Sequence, residues 1–246
     1  MSDEETAQQQ QQQAPAVVAR GIQKAGPWGP VFGPLDLDIE AGGVTVLTAP
    51  AGSGRTALLM SLAGRMKPTT GTLEVFGRRK ARDIFAVSAL AGIEQLDSVF
   101  ESVTVRDVIT EQSRWDAPWY RLVRRAGEQE LIAMCRKVFG QLPLPRLSQY
   151  VDHLDELDGL LLRIALANTG RPPLLVVGSV DQVTSNRDRE VLVRRLVDLG
   201  EHQTVITSTV NDVPDGLGIR AQIPLAERGL DQPAELEPVE QQKGDD

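Results

Sequence analysis

The sequence predicts an α/β fold, and three observations support that prediction. Short apolar runs at 44–47, 174–177 and 204–207 have the length and composition of buried strands. A glycine-rich segment of small residues at 49–54 follows the first run and leads into apolar positions at helical spacing. Residues 188–199, between the second and third runs, carry leucines in helical phase. Strands that alternate with helices are typical of α/β domains with a parallel sheet.

The loop between the first of these strands and its helix carries the main functional signal. A strand that enters a glycine loop and then a helix is the context in which a loop binds phosphate. The backbone N–H groups turn inward there, and the helix N-terminus adds unpaired donors and the positive end of its dipole. Gly52 and Gly54 permit backbone angles that a Cβ would disfavour. The alternative interpretation is a structural turn.

This loop departs from the usual phosphate-loop pattern G-x-x-x-x-G-K-[ST] at two positions. Residues 49–56 read A-P-A-G-S-G-R-T, so that Ala49 replaces the first glycine and Arg55 replaces the lysine. Arginine keeps the positive charge, but its planar guanidinium is not equivalent to an ammonium group. We predict nucleotide binding by the loop and the first helical residues, which are Ala49, Pro50, Ala51, Gly52, Ser53, Gly54, Arg55, Thr56 and Ala57.

Composition and charge divide the 246 residues into one domain and two tails. The formal net charge is −8, and the acidic excess lies in residues 1–14 and 227–246. We therefore predict a Gln-rich disordered tail at 1–14, a domain at 15–226 and an acidic disordered tail at 227–246. The domain is formally neutral and has no basic surface signal, so we expect no nucleic-acid partner.

Cysteine content and hydropathy indicate the cellular setting. Cys135 is the only cysteine, which suits a reducing compartment, and its helical neighbours suggest that it is a core residue. No apolar run approaches the length of a membrane span, and the acidic N-terminus does not resemble a signal peptide. Any membrane contact is expected to come through a partner.

The remaining elements follow from local patterns. Thr104 and Asp107 have capping-box spacing and predict a helix to about Gln112. A second helix is expected to end at Gly140. The other predicted elements are strands at 17–24, 35–39 and 71–76, a turn-rich segment at 25–34, and a helix at 160–167.

The order of these motifs resembles the nucleotide-binding domain of ABC transporters over about residues 17–225. Residues 36–77, DLDIEAGGVTVLTAPAGSGRTALLMSLAGRMKPTTGTLEVFG, are similar to the opening of that family. The match includes the P-x-x-G-x-L-x-V-x-G hairpin after the helix, which most other phosphate-loop folds lack. The resemblance implies a three-layer P-loop NTPase fold with an antiparallel β subdomain and a helical insert at about 99–168.

The same resemblance implies ATP and Mg²⁺ as cofactors. Arg55 would contact the β- and γ-phosphates, and Thr56 with Gln95 would coordinate Mg²⁺. Gln95 lies forty residues after Arg55, where the family has a Mg²⁺-sensing glutamine, and the alternative is a solvated loop glutamine. Trp28 is the candidate for the aromatic residue that stacks on adenine, although a loop anchor packed on the sheet is an equal alternative.

Three further family motifs depart from their usual form. The LSGGQ signature falls on Leu154–Asp158 in one register and on Leu157–Leu161 in another, and an aspartate replaces the serine in both. Asp181 and Gln182 take the places of the Walker B aspartate and catalytic glutamate in one register, with Asp181 on the Mg²⁺ side. A glutamine can bind water but cannot accept a proton. No switch histidine follows the strand at 204–207.

The leading functional hypothesis is an ATP-binding subunit that works with a membrane permease. It would form a homodimer, or a heterodimer with another ATP-binding subunit, and lie in the cytoplasm on the inner face of the membrane. Trp115, Trp119 and Tyr120 of the insert would dock on the permease. Hydrolysis is expected to be slow or absent.

The alternative function is that of a regulatory or scaffold protein that does not hydrolyse ATP. A third function, that of a P-loop kinase or GTPase, is disfavoured by the hairpin at 71–77.

Overall fold

The computed structural model describes residues 15–93 and 103–225. Eight strands are present in this part of the chain: β1 Val17–Gly26, β2 Gly29–Ile39, β3 Gly43–Thr48, β4 Thr70–Val75, β5 Ser88–Ala91, β6 Leu174–Ser179, β7 Thr204–Thr209 and β8 Ala221–Pro224. The α-helices in the same ranges are α1 Arg55–Leu62, α2 Ala81–Phe85, α3 Val105–Asp116, α4 Glu128–Phe139, α5 Glu156–Ala167 and α6 Asn186–Gly200. The predicted tails and Gln95 lie outside the described residues.

The strands form two sheets of different kinds. An antiparallel sheet has the order β2-β1-β4, and a parallel sheet has the order β5-β6-β7-β3-β8. Strand β3, which precedes the glycine loop, therefore lies between β7 and β8 and is not the middle strand of its sheet. Because β3, β6 and β7 are parallel, their carboxyl ends meet at one edge.

The parallel sheet is the middle layer, and alternate side chains of its strands enter two separate cores. Leu175 and Val177 of β6 pack with helices of the insert. Leu174 and Val176 of the same strand pack with α1 and the antiparallel sheet. Burial on both faces explains why these strands read as continuous apolar runs. The predicted α/β class, with its antiparallel subdomain and helical insert, is confirmed.

The helical insert follows its local sequence signals. The Thr104 side chain accepts from the Asp107 N–H while the Asp107 carboxylate accepts from the Thr104 N–H, so the predicted capping box is present. Helix α4 ends before Gly140 as predicted, and Cys135 on this helix is fully buried. Burial raises the pKa of its thiol to about 12, which agrees with the predicted core role.

Two predictions of element bounds were wrong. The turn-rich interpretation of 25–34 gives way to a hairpin, since β1 continues to Gly26 and β2 already begins at Gly29. Register shifts accommodate the irregular sequence, and β2 tolerates Pro30 and Pro34 because it is an edge strand. The helix predicted at 160–167 starts at Glu156.

The chain places β5 and β6 unusually close together at Gly178. A Cβ at this buried position would lie 1.9 Å from the carbonyl oxygen of Gly92 and 2.8 Å from Nε2 of Gln182. We expect Gly178→Ala to lower the free energy of unfolding by about 1–3 kcal/mol, because backbone atoms must move to admit the methyl group. Urea unfolding of the full chain measures this change.

Gly170→Ala is the matched control, because a Cβ there meets no atom within 4 Å. An unfolding free energy for Gly178→Ala equal to that of the control would contradict the close approach.

Candidate functional site

The glycine loop connects the end of β3 to the start of α1. Gly52 and Gly54 have φ values of 83° and 77°, so both adopt the left-handed conformation. A Cβ at Gly54 would lie 2.0 Å from the carbonyl oxygen of Val31, which makes glycine necessary there for a second reason. Ala49 is buried, and its N–H donates to the carbonyl of Thr209 at 3.1 Å. The loop is therefore fixed against both sheets.

The N-terminus of α1 is open to an anion. Gly54 is its N-cap and provides no side-chain acceptor, and the first turn contains no acidic residue. The first intrahelical bond runs from the Leu58 N–H to the Gly54 carbonyl at 3.0 Å. The preceding amides of the turn thus face the loop with the positive end of the helix dipole, which is the arrangement that binds phosphate groups.

Two buried hydroxyl groups at this loop, in the described part of the chain, lack a hydrogen-bond partner. Within residues 15–93 and 103–225, the buried side-chain oxygens without a hydrogen-bond partner include Thr48 Oγ1, Ser53 Oγ and Gln182 Oε1. Thr48 and Ser53 flank the turn on either side of Pro50. Such atoms cost about 1–3 kcal/mol each when they stay unpaired, so their grouping fits a polar ligand that completes the loop.

Arg55 points toward the carboxylate of Asp181. Its Nη1 lies 3.4 Å from Asp181 Oδ2 and 3.5 Å from Ser179 Oγ. The side chains of Arg55 and Asp181 are only 14% and 22% exposed. Because these contacts use one nitrogen of a guanidinium that carries five N–H donors, Arg55 keeps donors for a second anion.

The Asp181 carboxylate accepts hydrogen bonds from three other groups. Ser179 Oγ and the Val210 N–H donate to Oδ2 at 2.7 Å each, and Thr209 Oγ1 donates to Oδ1 at 3.1 Å. Burial by itself would raise the pKa of Asp181, but these donors and Arg55 outweigh it and lower the pKa below its ordinary value. Asp181 is therefore held as a carboxylate.

The residues predicted to hold Mg²⁺ fit this role unevenly. Thr56 is exposed at the start of α1, next to the loop, and its hydroxyl suits a hard cation. Gln95 is not among the described residues. The oxygens of Asp181 are already occupied by Ser179, Thr209, Val210 and Arg55, so direct coordination by Asp181 does not fit. The loop amides and Arg55 are hydrogen-bond donors and fit phosphate oxygens. Thr56 is the residue here whose hydroxyl oxygen fits a Mg²⁺ ion.

Gln182 lies beside Asp181 in a one-turn 3-10 helix at Val180–Gln182. Its Nε2 donates to the Gly92 carbonyl at 2.7 Å and to the Ser179 carbonyl at 3.0 Å. The amide thus links the end of β5 to the end of β6 by hydrogen bonds. This link was not predicted from the sequence. A carboxylate could not make either bond, because it has no donor.

The two altered motifs each lie at the start of a helix. Ser185, within the Walker B-like stretch at 181–188, caps α6 and accepts from the Asp188 N–H at 3.3 Å. Asp155 caps α5 and accepts from the Asp158 N–H at 2.8 Å. The signature-like segment Leu154–Asp158 therefore spans the helix start, while Leu157–Leu161 lies inside α5.

The start of α5 is joined to the turn after β6. Glu156 Oε2 accepts from the Thr184 N–H at 2.7 Å and from Thr184 Oγ1 at 2.8 Å. The backbone donor, with the hydroxyl, lowers the pKa of Glu156. The insert is thus hydrogen-bonded to the segment that carries Asp181 and Gln182.

The remaining candidate residues lie apart from the loop or expose their side chains. Trp28 is 99% exposed at the tip of the β1–β2 hairpin, so its interpretation as a packed loop anchor was wrong. His153 contacts the ring of Tyr150 before α5, and His202 precedes β7 at the opposite edge of the sheet. Neither histidine takes the place of a switch residue.

Ser179 and Thr209 are the site residues that sequence reasoning missed. Both follow buried apolar runs, at the carboxyl ends of the adjacent strands β6 and β7. Hydroxyls at the ends of parallel strands converge on one edge, and this signal was present in the sequence.

Comparison with known proteins agrees with this geometry. A family model described as ABC transporter matches residues 32–156. The cytochrome c biogenesis ATP-binding export protein CcmA of Pseudomonas putida is 30% identical over 159 residues, which cover 56% of this chain and 76% of that protein. The hemin import ATP-binding protein HmuV of Nocardia farcinica is 30% identical over 122 residues, which cover 47% of this chain and 41% of that protein. The chain belongs to the ABC transporter family.

Solved structures share the fold at lower identity. The chain CbiO1 from Clostridium perfringens, part of the ABC transporter complex CbiONQ, superposes with a TM-score of 0.62 at 14% identity, covering 80% of this chain and 79% of that one. The dimeric ATP-binding cassette MJ0796, bound to ADP and Pi, superposes with a TM-score of 0.62 at 15% identity, covering 79% of this chain and 88% of that one. Among the described helices, none is long and apolar enough to cross a membrane.

Asp158, in the first turn of α5, makes stability depend on pH. Burial, with a contribution from the charge of Asp155, raises the pKa of Asp158 to about 6 from 3.8. The folded state therefore holds this proton more tightly than the unfolded state, and stability is lost as pH rises from about 4 to 6. We expect Asp158→Asn to raise the thermal midpoint relative to wild type at pH 7.5 but not at pH 4.

Differential scanning calorimetry at both pH values measures this difference, with Asp152→Asn of the preceding exposed turn as the control. A gain that is equal at the two pH values would contradict the raised pKa.

Gln182→Glu tests the amide bridge between β5 and β6. The substitution replaces a donor by a carboxylate that faces the carbonyls of Gly92 and Ser179, so we expect a loss of about 1–3 kcal/mol in the free energy of unfolding at pH 7.5. Urea denaturation measures it, and Gln141→Glu at an exposed position is the control. Equal stability of the two variants would show that the bridge is not formed.

Proposed function

We propose that this chain is the ATP-binding subunit of an ABC-type transporter and couples the binding of ATP to a membrane permease. The observation that carries the proposal is the loop before α1, where an uncapped helix N-terminus, the free donors of Arg55 and the unpaired hydroxyls of Thr48 and Ser53 occur together between residues 48 and 55. Membership of the ABC transporter family supports the assignment of ATP as the ligand.

Different groups of the site contact different parts of the nucleotide and its Mg²⁺ ion. The backbone N–H groups of Gly52 and Gly54 and those of the first turn of α1 bind the phosphates. Arg55 contacts the β- and γ-phosphates with the N–H groups that Asp181 leaves free. Thr56, together with Gln95, would hold Mg²⁺, which supplies positive charge against the triphosphate.

Hydrolysis by the isolated chain is proposed to be slow or absent. Gln182 takes the place of the general base but cannot accept a proton, and its amide is committed to two carbonyl oxygens. Asp181 is the adjacent acid, and its lowered pKa makes it a weak base. Binding, and not turnover, is then the step that changes the protein, as in a two-state element biased by a ligand.

The helical insert carries the surface proposed to meet the permease. Trp115, Trp119, Tyr120 and Leu122 expose most of their side chains in one short segment that begins in the last turn of α3. The rings of Trp119 and Tyr120 contact each other edge to face with centroids 5.9 Å apart. Exposed aromatic residues in a group are typical of protein interfaces. A second ATP-binding subunit, of the same or another chain, completes the proposed assembly.

Calorimetric titration of the full chain with ATP and Mg²⁺ tests the proposal. We expect Arg55→Ala to weaken ATP binding about 10- to 100-fold, because a hydrogen-bonded charge contributes about 1.5–3 kcal/mol. Arg55→Lys should retain most of the affinity, since it keeps the charge. Arg82→Ala, an exposed arginine of α2, is the control.

Two results would overturn the proposal in different ways. Absence of binding by the wild type at millimolar ATP would favour the regulatory or scaffold function, in which the fold remains and the nucleotide site is lost. Equal affinity of Arg55→Ala and Arg82→Ala would show that ATP binds without Arg55.

A further inference from the structure

One exposed segment of the helical insert combines arginines with aromatic and aliphatic side chains. This arginine-aromatic segment comprises residues 114–125 and reads RWDAPWYRLVRR. It begins in the last turn of α3 and ends before α4. Trp119 and Leu122 are 96% and 92% exposed, and Trp115 and Tyr120 are exposed as well. Exposed apolar side chains that lie together mark a surface that contacts a protein or a membrane.

The segment is held against α3 at both ends. Residues 114–116 belong to the helix itself. Beyond the segment, Ala126 is buried; its N–H donates to Thr110 Oγ1 at 3.0 Å, and its carbonyl accepts from Arg106 Nη1 at 2.7 Å. The chain therefore leaves the end of α3 and returns to the first half of the same helix. The exposed side chains of 114–125 are thus kept in one region of the insert.

The charge of the segment is opposite in sign to that of the whole protein. It contains four arginines and one aspartate, whereas the chain carries a formal net charge of −8. Arg125 Nη2 lies 3.5 Å from Asp107 Oδ1. The other three, Arg114, Arg121 and Arg124, are exposed and make no ion pair with any described residue. Their guanidinium groups are therefore available to an anionic partner.

An anionic lipid surface matches both features of the segment. Guanidinium groups form charge-assisted hydrogen bonds with phosphate oxygens, and basic segments are attracted to anionic leaflets. Tryptophan and tyrosine are enriched at the level of the headgroups, because each ring is apolar and carries one polar group. A nucleic acid offers phosphates but no apolar layer for Leu122. We propose that the arginine-aromatic segment binds the surface of an anionic membrane directly, with its arginines at the headgroup phosphates and its rings in the interface.

This inference goes beyond the permease contact proposed above. That contact uses the aromatic side chains of the segment and gives the arginines no role. A permease is surrounded by lipid, so a segment that meets the edge of a permease can contact both. The lipid contact itself requires neither ATP nor the permease, and it can be measured on the full chain alone.

Co-sedimentation of the full chain with vesicles, in the absence of nucleotide, tests the proposal. One set of vesicles contains phosphatidylcholine alone, and the other contains phosphatidylcholine and phosphatidylglycerol in equal parts. An acidic protein is repelled on average by the second set, so binding there requires a local basic site. We expect binding to the anionic vesicles to be about tenfold stronger than to the neutral ones, and to weaken as the salt concentration rises.

A pair of double variants tests the arginines. Arg121→Gln with Arg124→Gln should weaken binding to the anionic vesicles about 10- to 30-fold, because both side chains lose their attraction to the headgroups. Arg78→Gln with Arg82→Gln is the control, since it removes the same charge from exposed arginines outside the insert. All four side chains are exposed, so we expect every variant to fold.

A pair of single variants tests the aromatic side chains. Trp119→Ser should weaken binding to the anionic vesicles about 5- to 10-fold, because the ring no longer leaves water for the interface. Trp28→Ser is the matched control, because Trp28 is 99% exposed in the β1–β2 hairpin and lies outside the segment.

Wild-type binding that is no stronger to anionic than to neutral vesicles would overturn the proposal, and a protein surface would remain as the partner of the segment. Equal losses in a variant and its control would also overturn it, since binding would then depend on overall charge or on any exposed ring. ATP is absent from these measurements, so their failure is distinct from failure of the proposed nucleotide site.

Discussion

The hydrogen-bonded carboxylate of Asp181 is the interaction on which the site depends. Its partners come from the ends of two parallel strands, through Ser179 and Thr209, and from the first residue of α1, through Arg55. These three elements have no sequence proximity, so one carboxylate fixes the relative positions of strand ends that otherwise carry separate loops. The resulting ion pair holds Arg55 at the mouth of the glycine loop, and its partial burial reduces the screening of its charge by solvent.

The neighbouring amide of Gln182 has a structural role. It joins the carbonyls of Gly92 and Ser179, and the lack of a side chain at Gly178 permits the close approach of β5 and β6. In the proposed register, in which Gln182 takes the place of the family's catalytic glutamate, the position would contribute a structural bridge and not a group for proton transfer. We infer that the substitution stabilises one arrangement of the strand ends, and this agrees with a protein that responds to binding more than to turnover.

Local signals made much of the fold predictable. The strand, loop and helix around Gly54 were predicted because glycine conformation and helical periodicity act within a few residues, and the Thr104–Asp107 capping box acts over three. The hairpin at 25–34 was missed because its prolines and glycines signal a turn, whereas pairing with β1 extends the edge strand through them. Pairing with β1, and not the local sequence, therefore determines where β2 begins.

The site was predicted less completely for the same reason. The sequence indicates Arg55 and Asp181 separately, but their proximity depends on strand order, and the donors Thr209 and Val210 lie almost thirty residues beyond Asp181.

The contact between Glu156 and Thr184 has a mechanical consequence. Both hydrogen bonds end on the same oxygen, Oε2, so they fix a point without fixing an angle. Helix α5 is therefore attached at its first residue to the turn beyond β6, while its buried leucines hold the rest of the helix in the core. We infer that a displacement of the Asp181 segment would pull on the first turn of α5 through this contact.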